Sequence, residues 1–234
     1  MKGQKPFNIK NDPRILPAYP LNDAARYLQM SPATLRSWVV GRSYPTARGD
    51  RFFKPLIAAP ASDQKFTLSF INLVEAHVLD AIRRTHGVAL PKVRRAIDYV
   101  KRDLRSEHPL AEKSFETDGI DLFVRHYGQL AMKTVLEAYL ERIERDPSGV
   151  ALRLYPFTRN RSASACVSDE PRSVVIDPGV SYGRPVLVGT GIPTAVLAER
   201  YKAGDSIKGL AEDYGVPTDE IEEAIRCELR TEAA

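Results

Sequence analysis

Two segments of this 234-residue chain share one pattern, a helix, a tight turn and a second helix, and this repetition constrains the fold more than any other feature. AARYLQMSPATLRSWV spans residues 24–39, and LAEDYGVPTDEIEEAI spans residues 210–225. In both segments apolar residues recur at helical spacing, and a proline after the turn suits the first turn of the second helix. The pattern predicts a mainly α chain with small β elements (α+β), with a winged helix-turn-helix near the N-terminus and a trihelical helix-turn-helix domain near the C-terminus.

The two helix pairs lie in parts of the chain that differ in charge. Residues 1–105 contain 19 Lys and Arg against 8 Asp and Glu, a net charge of +11, whereas the remainder contains 15 against 22, a net charge of −7. The last predicted helix, residues 218–228, has five acidic residues and one Arg, and acidic side chains repel phosphates. We therefore predict that the first helix pair binds DNA and that the second forms a protein interface.

Composition excludes several other classes of protein. No apolar run approaches the roughly 18 residues of a membrane span, and the first ten residues have no apolar core typical of a signal peptide. Cys166 and Cys227 are too far apart to indicate a disulfide framework or a metal site. The sequence predicts a cytoplasmic protein with no cofactor and no metal. Because no nucleophile–base pair stands out, we expect that the protein is not an enzyme.

The first helix pair predicts a set of DNA-contacting side chains. A recognition helix places small or polar residues of its first turns in the major groove, while nearby cations contact phosphates. Ser31 is expected to cap this helix, with Pro32 at its first position. The predicted DNA-binding residues are Ser31, Thr34, Arg36, Ser37, Arg42, Arg48, Arg51 and Lys54. Residues with the spacing of the core between the two helices are Ala24, Ala25, Leu28, Leu35 and Trp38.

The rest of the chain predicts four segments. Residues 1–105 form the DNA-binding domain, in which FFKPLI and KFTL are expected to be the strands of a wing, followed by an amphipathic helix at 68–84 and another at 90–104. Residues 106–158 form a mixed α/β connecting region, with a hairpin at 118–119, a helix over 130–145 and a strand over 149–157. Residues 159–172, polar and small, form a linker. Residues 173–234 form the second helix-turn-helix domain.

Two longer stretches resemble known families. YPLNDAARYLQMSPATLRSW resembles the winged helix-turn-helix of the MerR class, and GRPVLVGTGIPTAVLAERYKAGDSIKGLAEDYGVPTDEIEEAI resembles the trihelical domain of VapB-type antitoxins and related proteins. In combination the chain resembles a two-domain VapB-type antitoxin, whose usual partner is a PIN-like ribonuclease toxin. The resemblance implies binding to operator DNA and neutralisation of such a toxin. A homodimer would match two operator half-sites.

The toxin contact is predicted in the linker and the acidic helix. Arginines of the linker would pair with the carboxylates that a PIN-like toxin holds around a metal, since guanidinium pairs bidentately with carboxylate. Acidic residues of the last helix would meet the basic groove that the toxin needs for RNA. The predicted partner-binding residues are Arg159, Arg161, Arg172, Asp219, Glu220 and Glu223. Alternatively, the acidic face is a self-contact and the linker only a tether.

Two other functions remain open from the sequence. One is a winged-helix transcription regulator whose C-terminal half senses a ligand or a protein. The other is a toxin-like ribonuclease that uses carboxylates of the middle region, Glu137, Glu141 and Glu144 with Asp118 and Asp121. Since Arg142 and Arg145 alternate with the three glutamates, a solvated helix face is the interpretation that we favour for them.

Overall fold

The structure, a computed structural model, describes residues 12–45, 47, 49–61, 66–84, 90–115, 130–159 and 170–229. Its helices are α1 (Leu21–Tyr27), α2 (Pro32–Val39), α3 (Phe70–Arg84), α4 (Leu90–Leu104), α5 (Leu130–Leu140), α6 (Thr194–Lys202), α7 (Ile207–Tyr214) and α8 (Thr218–Glu228). Its strands are β1 (Tyr19–Pro20), β2 (Arg42–Tyr44), β3 (Arg51–Phe53), β4 (Thr67–Leu68), β5 (Ile143–Arg145), β6 (Ala151–Leu154), β7 (Val174–Val175) and β8 (Val186–Leu187). In these ranges, no helix is long and apolar enough to cross a membrane.

The N-terminal helix pair has the predicted core. Helices α1 and α2 pack against each other, and every side chain expected between them is buried: Ala24, Ala25, Leu28, Leu35 and Trp38. Strand β1 runs directly into α1 and pairs antiparallel with β4, with Tyr19 opposite Leu68. The spacing of apolar residues predicted this packing because both helices bury one side only.

The wing differs from the prediction. Strands β2 and β3 form an antiparallel hairpin in which Arg42 lies opposite Phe53 and Tyr44 lies opposite Arg51. Strand β4, expected to be the second strand of the wing, pairs with β1 instead. The predicted pairing of FFKPLI with KFTL is therefore wrong. β-propensity marks a segment that favours the extended conformation, but it does not identify the strand's partner.

Helix α3 is buried on all its sides over residues 70–82. The predicted apolar stripe is buried, but so are the polar side chains of Asn72, Glu75, His77 and Asp80. Helix α5, strand β6 and a short 3₁₀ turn at residues 109–111 contact the helix and complete its cover. Two of these polar groups pair with Tyr139 of α5. Nε2 of His77 lies 3.1 Å from the carbonyl oxygen of Tyr139, and the Tyr139 hydroxyl donates to Asp80 at 3.2 Å. His77 is therefore a packed core residue.

The connecting region contains a shorter helix than predicted. Helix α5 ends at Leu140, and the chain continues into the β5–β6 hairpin, which has an irregular register between Glu144 and Arg145. The expected hairpin at 118–119, with Asp118 and Asp121, lies outside the described residues.

Arg142 corrects the prediction of a solvated helix face. Only 2% of this residue is exposed, and its guanidinium donates to four carbonyl oxygens, those of Tyr155, Pro156, Glu170 and Pro171, at 2.9, 3.1, 2.9 and 2.8 Å. Glu144 is also not on a helix, because it lies in β5 and pairs with Arg153. An arginine accepts burial when carbonyl oxygens satisfy its donors, and spacing alone gives no sign of such acceptors.

The C-terminal helices follow local start and stop signals. Ser206 caps α7 by accepting a hydrogen bond from the backbone NH of Gly209 at 3.0 Å, and Gly215 ends α7 in the left-handed conformation at a φ of 64°. Helix α8 packs on α6 and α7 and also contacts α1 of the N-terminal pair. One continuous cluster of buried side chains extends from Tyr19 to Cys227. Three of the predicted segments, residues 1–105, 106–158 and 173–234, contribute to this core, and the division of the chain into domains stays a prediction.

Candidate nucleic-acid interface

Helix α2 presents one polar side to the surface. Its inner side consists of the buried Leu35, Trp38 and Val39. On the outer side Arg36 is exposed, and the predicted contact residues Thr34 and Ser37 are half-buried. The Ser37 hydroxyl donates to the carbonyl oxygen of Thr34 at 2.8 Å. Arg36 is therefore the charged side chain on the exposed side of α2.

Phe66 orients Arg36. The guanidinium carbon of Arg36 lies 4.4 Å from the centre of the Phe66 ring, in the geometry of a cation–π contact. The Phe66 backbone has a positive φ of 65°, and its carbonyl oxygen accepts a hydrogen bond from the NH of Leu21 at 3.1 Å. The aromatic ring is thus fixed to the start of α1, and it limits the positions that the arginine can take. Sequence reasoning missed Phe66 because it lies thirty residues beyond Arg36.

The predicted cap of α2 is only partly correct. Ser31 occupies the N-cap position with an extended backbone, and Pro32 begins the helix, as expected. However, the Ser31 side chain makes no capping hydrogen bond, so the expected capping role is wrong. Ser31 is exposed at the start of α2.

The wing carries the remaining predicted cations. Arg42 and Arg51 are exposed. Arg51 lies directly opposite Tyr44, and Tyr44 is two residues beyond Arg42 on β2, so the two arginines lie on the same face of the hairpin. Lys54 is exposed just after β3. Arg48 lies outside the described residues. The structure thus brings Arg42, Arg51 and Lys54 together on one hairpin close to the end of α2.

The base of the wing is held by α4. Arg94 donates to the carbonyl oxygen of Pro55 at 3.0 Å and to that of Lys54, and its guanidinium carbon lies 4.8 Å from the Phe53 ring centre. On the other side, the backbone NH groups of residues 56 and 57 donate to the carbonyl oxygen of Trp38 at 2.7 and 3.1 Å. These contacts fix the orientation of the wing relative to α2. Arg94, forty residues from its acceptor, is a positioning residue that no sequence signal identified.

The second helix pair has a different surface. Asp219 is exposed and Glu220 is half-buried in the first turn of α8, where their charge suits the helix dipole. Glu223, expected on the same acidic surface, is 2% exposed, so its predicted position on an exposed face is wrong. Its carboxylate accepts from the Thr158 hydroxyl, from Arg159 at 2.9 and 2.7 Å and from Arg226 at 2.7 Å.

The Glu223 cluster joins the two predicted groups of partner-binding residues. Burial raises the pKa of the Glu223 carboxyl. The hydrogen bonds from Thr158 and Arg159 and the charges of Arg159 and Arg226 lower that pKa by more, so it lies below its ordinary value. Glu223 is therefore a charged group that holds Arg159, the first residue of the linker, against α8. Arg172, at the other end of the linker, is exposed and lies 3.7 Å from Glu141. Arg161 lies outside the described residues.

A second ion pair connects the two helix pairs directly. Nη1 of Arg26, on α1, lies 2.8 Å from Oε2 of Glu228, at the end of α8. The other oxygen of this buried carboxylate accepts from the Thr194 hydroxyl at 2.6 Å. Three of the five acidic residues of α8 thus make contacts within the chain: Glu222 with Arg226, Glu223 with Arg159 and Arg226, and Glu228 with Arg26.

Metal chemistry has no visible basis in the part of the chain that the structure describes, where no group of three His, Cys, Asp or Glu side chains could hold an ion. Cys227 is buried, and burial raises the pKa of its thiol. Cys166 lies outside these residues.

Comparison with known proteins agrees with this arrangement. A family model described as "Putative DNA-binding HTH domain" matches residues 17–97, and one described as "Protein of unknown function (DUF433)" matches residues 174–226. The chain is 28% identical over 253 aligned positions to "Putative antitoxin VapB45" of Mycobacterium tuberculosis, with 96% of this chain and 98% of that protein covered. These matches support the resemblance to a VapB-type antitoxin along nearly the whole chain. The crystal structure of Rv2018 from Mycobacterium tuberculosis has a TM-score of 0.66 and 25% identity, and the match covers 90% of this chain and 98% of that chain.

Proposed function

We propose that this protein is the antitoxin of a type II toxin–antitoxin pair. Its winged helix-turn-helix binds operator DNA as a cytoplasmic homodimer, and its C-terminal half neutralises a PIN-like ribonuclease toxin without any catalysis of its own. The observation that carries the proposal is the exposed cationic surface of α2 and the wing, on a chain that aligns over nearly its full length with a protein named as an antitoxin.

The DNA contact assigns different roles to the exposed arginines. Arg36 projects from the recognition helix and is placed to read a base edge, whereas Arg42, Arg51 and Lys54 lie on the wing and are placed to contact phosphates. Phosphate contacts release counterions, so each one adds to the salt dependence of binding, while a base contact adds discrimination between sequences.

The first experiment measures binding to the DNA upstream of the protein's own gene over a range of salt concentrations. Arg51→Ala should weaken binding to all sequences and reduce the slope of log K against log salt by about 1. Arg36→Ala should cost about 1–3 kcal/mol of discrimination at one base position. Lys208→Ala, a change at an exposed cation of α7, is the matched control and should leave binding unchanged. Normal operator binding by both arginine variants would refute the assignment.

The toxin contact is proposed on two acidic residues of α8 and on the three linker arginines. Asp219 and Glu220 form the open part of the acidic surface, and Arg159, Arg161 and Arg172 supply the linker arginines that would enter the toxin's metal site. Glu223 acts through Arg159, because its carboxylate is buried and holds that arginine in place.

The second experiment is co-expression with the neighbouring open reading frame, followed by titration of the partner's ribonuclease activity. Asp219→Lys with Glu220→Lys should weaken inhibition, whereas Glu199→Lys with Glu212→Lys, at exposed acidic positions of α6 and α7, should not. Changing the three linker arginines to Ala tests the active-site contact separately. Full inhibition at unchanged stoichiometry by that variant would make the linker only a tether.

A transcription regulator with a sensing C-terminal half is the second candidate. The observation that favours it is the ion pair of Arg26 with Glu228, through which α8 is positioned to influence the helix next to the recognition helix. This candidate would be preferred if no ribonuclease partner is captured and if a small molecule or another protein changes operator affinity.

A further inference from the structure

The wing carries an exposed aromatic side chain that its cations do not explain. Phe52 lies in the middle of β3 and is 58% exposed, the largest exposed fraction of any apolar side chain among the described residues of the wing. It lies opposite Ser43, on the face of the hairpin opposite to that of Arg42 and Arg51. A single exposed phenylalanine is common on protein surfaces, so it is the position of this ring, between the recognition helix and the wing, that points to a contact.

The position of the Phe52 ring is set by the end of the recognition helix. Gly41 follows α2 with a φ of 83°, and a Cβ atom there would lie 2.6 Å from Cζ of Phe52 and closer still to the carbonyl oxygen of Phe53. The ring therefore lies across bare backbone at Gly41, at the junction of α2 and the wing. One side of the ring is supported by the protein, and the remainder is open.

The charge of the segment that carries the ring, on both faces of the hairpin, indicates the kind of partner. Residues 41–54 contain four Lys and Arg and one Asp, so this segment carries a net charge of +3. A second copy of the chain would bring the same positive charge to a two-fold interface, where like charges repel. A polyanion is the complementary partner. The apolar surface that a DNA backbone offers between its phosphates is the deoxyribose.

We propose that Phe52 packs against a deoxyribose of one DNA strand. The backbone of that DNA strand lies between two grooves, one occupied by α2 and the adjacent one occupied by the wing. The inference rests on the proposed DNA binding. A recognition helix in the major groove and a wing beside it are separated by one sugar–phosphate backbone, and Phe52 lies at that junction. Because the contact is apolar and lies on the sugar, it adds affinity for every sequence and releases no counterions.

The experiment compares the wild type, Phe52→Ala, Phe52→Leu and Arg51→Ala in the full chain. Affinities for the operator and for an unrelated duplex are measured at several salt concentrations. Phe52→Ala should weaken binding to both duplexes about 10-fold, equivalent to about 1.4 kcal/mol, with an unchanged salt slope. Phe52→Leu, which keeps apolar volume, should recover most of that loss. Arg51→Ala should instead reduce the slope by about 1.

The outcomes separate the inference from the proposed function. If the wild type does not bind DNA, the proposed function fails. If the wild type binds and Arg51→Ala changes the slope but Phe52→Ala has no effect, only the inference is overturned. A loss confined to the operator would indicate a base contact and would also overturn it. Light scattering on each variant completes the test, since a change of oligomeric state in Phe52→Ala would assign the ring to a protein interface instead.

Discussion

Single residues of α3 show how a helix with polar side chains can lie wholly in the interior. Glu75 is buried, and its two carboxylate oxygens accept from Asn72 at 3.1 Å and face Nδ1 of His108 at 3.1 Å. Ser69 and Asn72 exchange hydrogen bonds at the start of the helix in a capping arrangement. Each of these buried polar side chains therefore has a hydrogen-bond partner, and a polar side chain can be buried without a large cost only when it has one.

His108 makes the stability of this region dependent on pH. Burial lowers the pKa of His108, but the hydrogen bond and the negative charge of Glu75 raise it more, so the pKa lies above the ordinary value of 6.5. A raised pKa means that the contribution to folding is complete below about pH 6.5 and is lost as the pH rises through the folded-state pKa. We expect the free energy of unfolding of the wild type to fall over this window. His108→Gln should remove that part of the dependence. Parallel curves for the two proteins in urea unfolding at several pH values would contradict the assignment.

At the scale of elements, the wing depends on one backbone position. Gly41 has a φ that L side chains rarely adopt, and there is no room for a Cβ beside Phe52 and the carbonyl oxygen of Phe53. The hairpin can therefore return from α2 only because this residue lacks a side chain. Arg94 then fixes the other strand of the hairpin at its base.

Gly41→Ala should displace the wing. We expect it to cost on the order of 2 kcal/mol from the unfavourable backbone conformation and the close contact together, and to weaken DNA binding. Gly49→Ala is the matched control, because Gly49 also has a positive φ, 101°, but nothing lies within 4 Å of its added Cβ. Hydrogen exchange of the wing and operator affinity measure the effect. If both variants behave alike, the close contact at Gly41 has no role.

At the scale of the whole molecule, the N-terminal helix pair is not an independent unit of packing. Helix α5 and β6 cover α3, and α8 contacts α1 through the ion pair of Arg26 with Glu228. Residues from both ends of the chain thus contribute to one core. We therefore expect the DNA binding proposed for the first helix pair to depend on residues far from it in the sequence.

Truncation should reveal this dependence. A fragment of residues 1–105 lacks α5 and would expose the side of α3 where His77 and Asp80 meet Tyr139, so we expect no cooperative unfolding and little DNA binding. A fragment of residues 1–159 keeps α5 and the β5–β6 hairpin and should be of intermediate stability. Thermal unfolding followed by circular dichroism ranks the fragments against the full chain. A melting temperature of the short fragment equal to that of the full chain would refute the shared core.

The sequence by itself determined the features that depend on neighbouring residues. The spacing of Leu35 and Trp38 predicted the core of the first helix pair, because helical periodicity acts over a few residues. The exposure of Arg36, Arg42 and Arg51 also follows from their position on short polar elements.

Only the tertiary structure decided the features that need a distant partner. The strand that pairs with β3 comes from the chain before it rather than after it, and the sequence contains two suitable extended segments. Arg142 and Glu223 are charged residues whose burial depends on carbonyl oxygens, a hydroxyl and arginines up to 65 residues away. Burial of a charge is favourable only when such partners are already in place, and their position is a property of the folded chain rather than of local spacing.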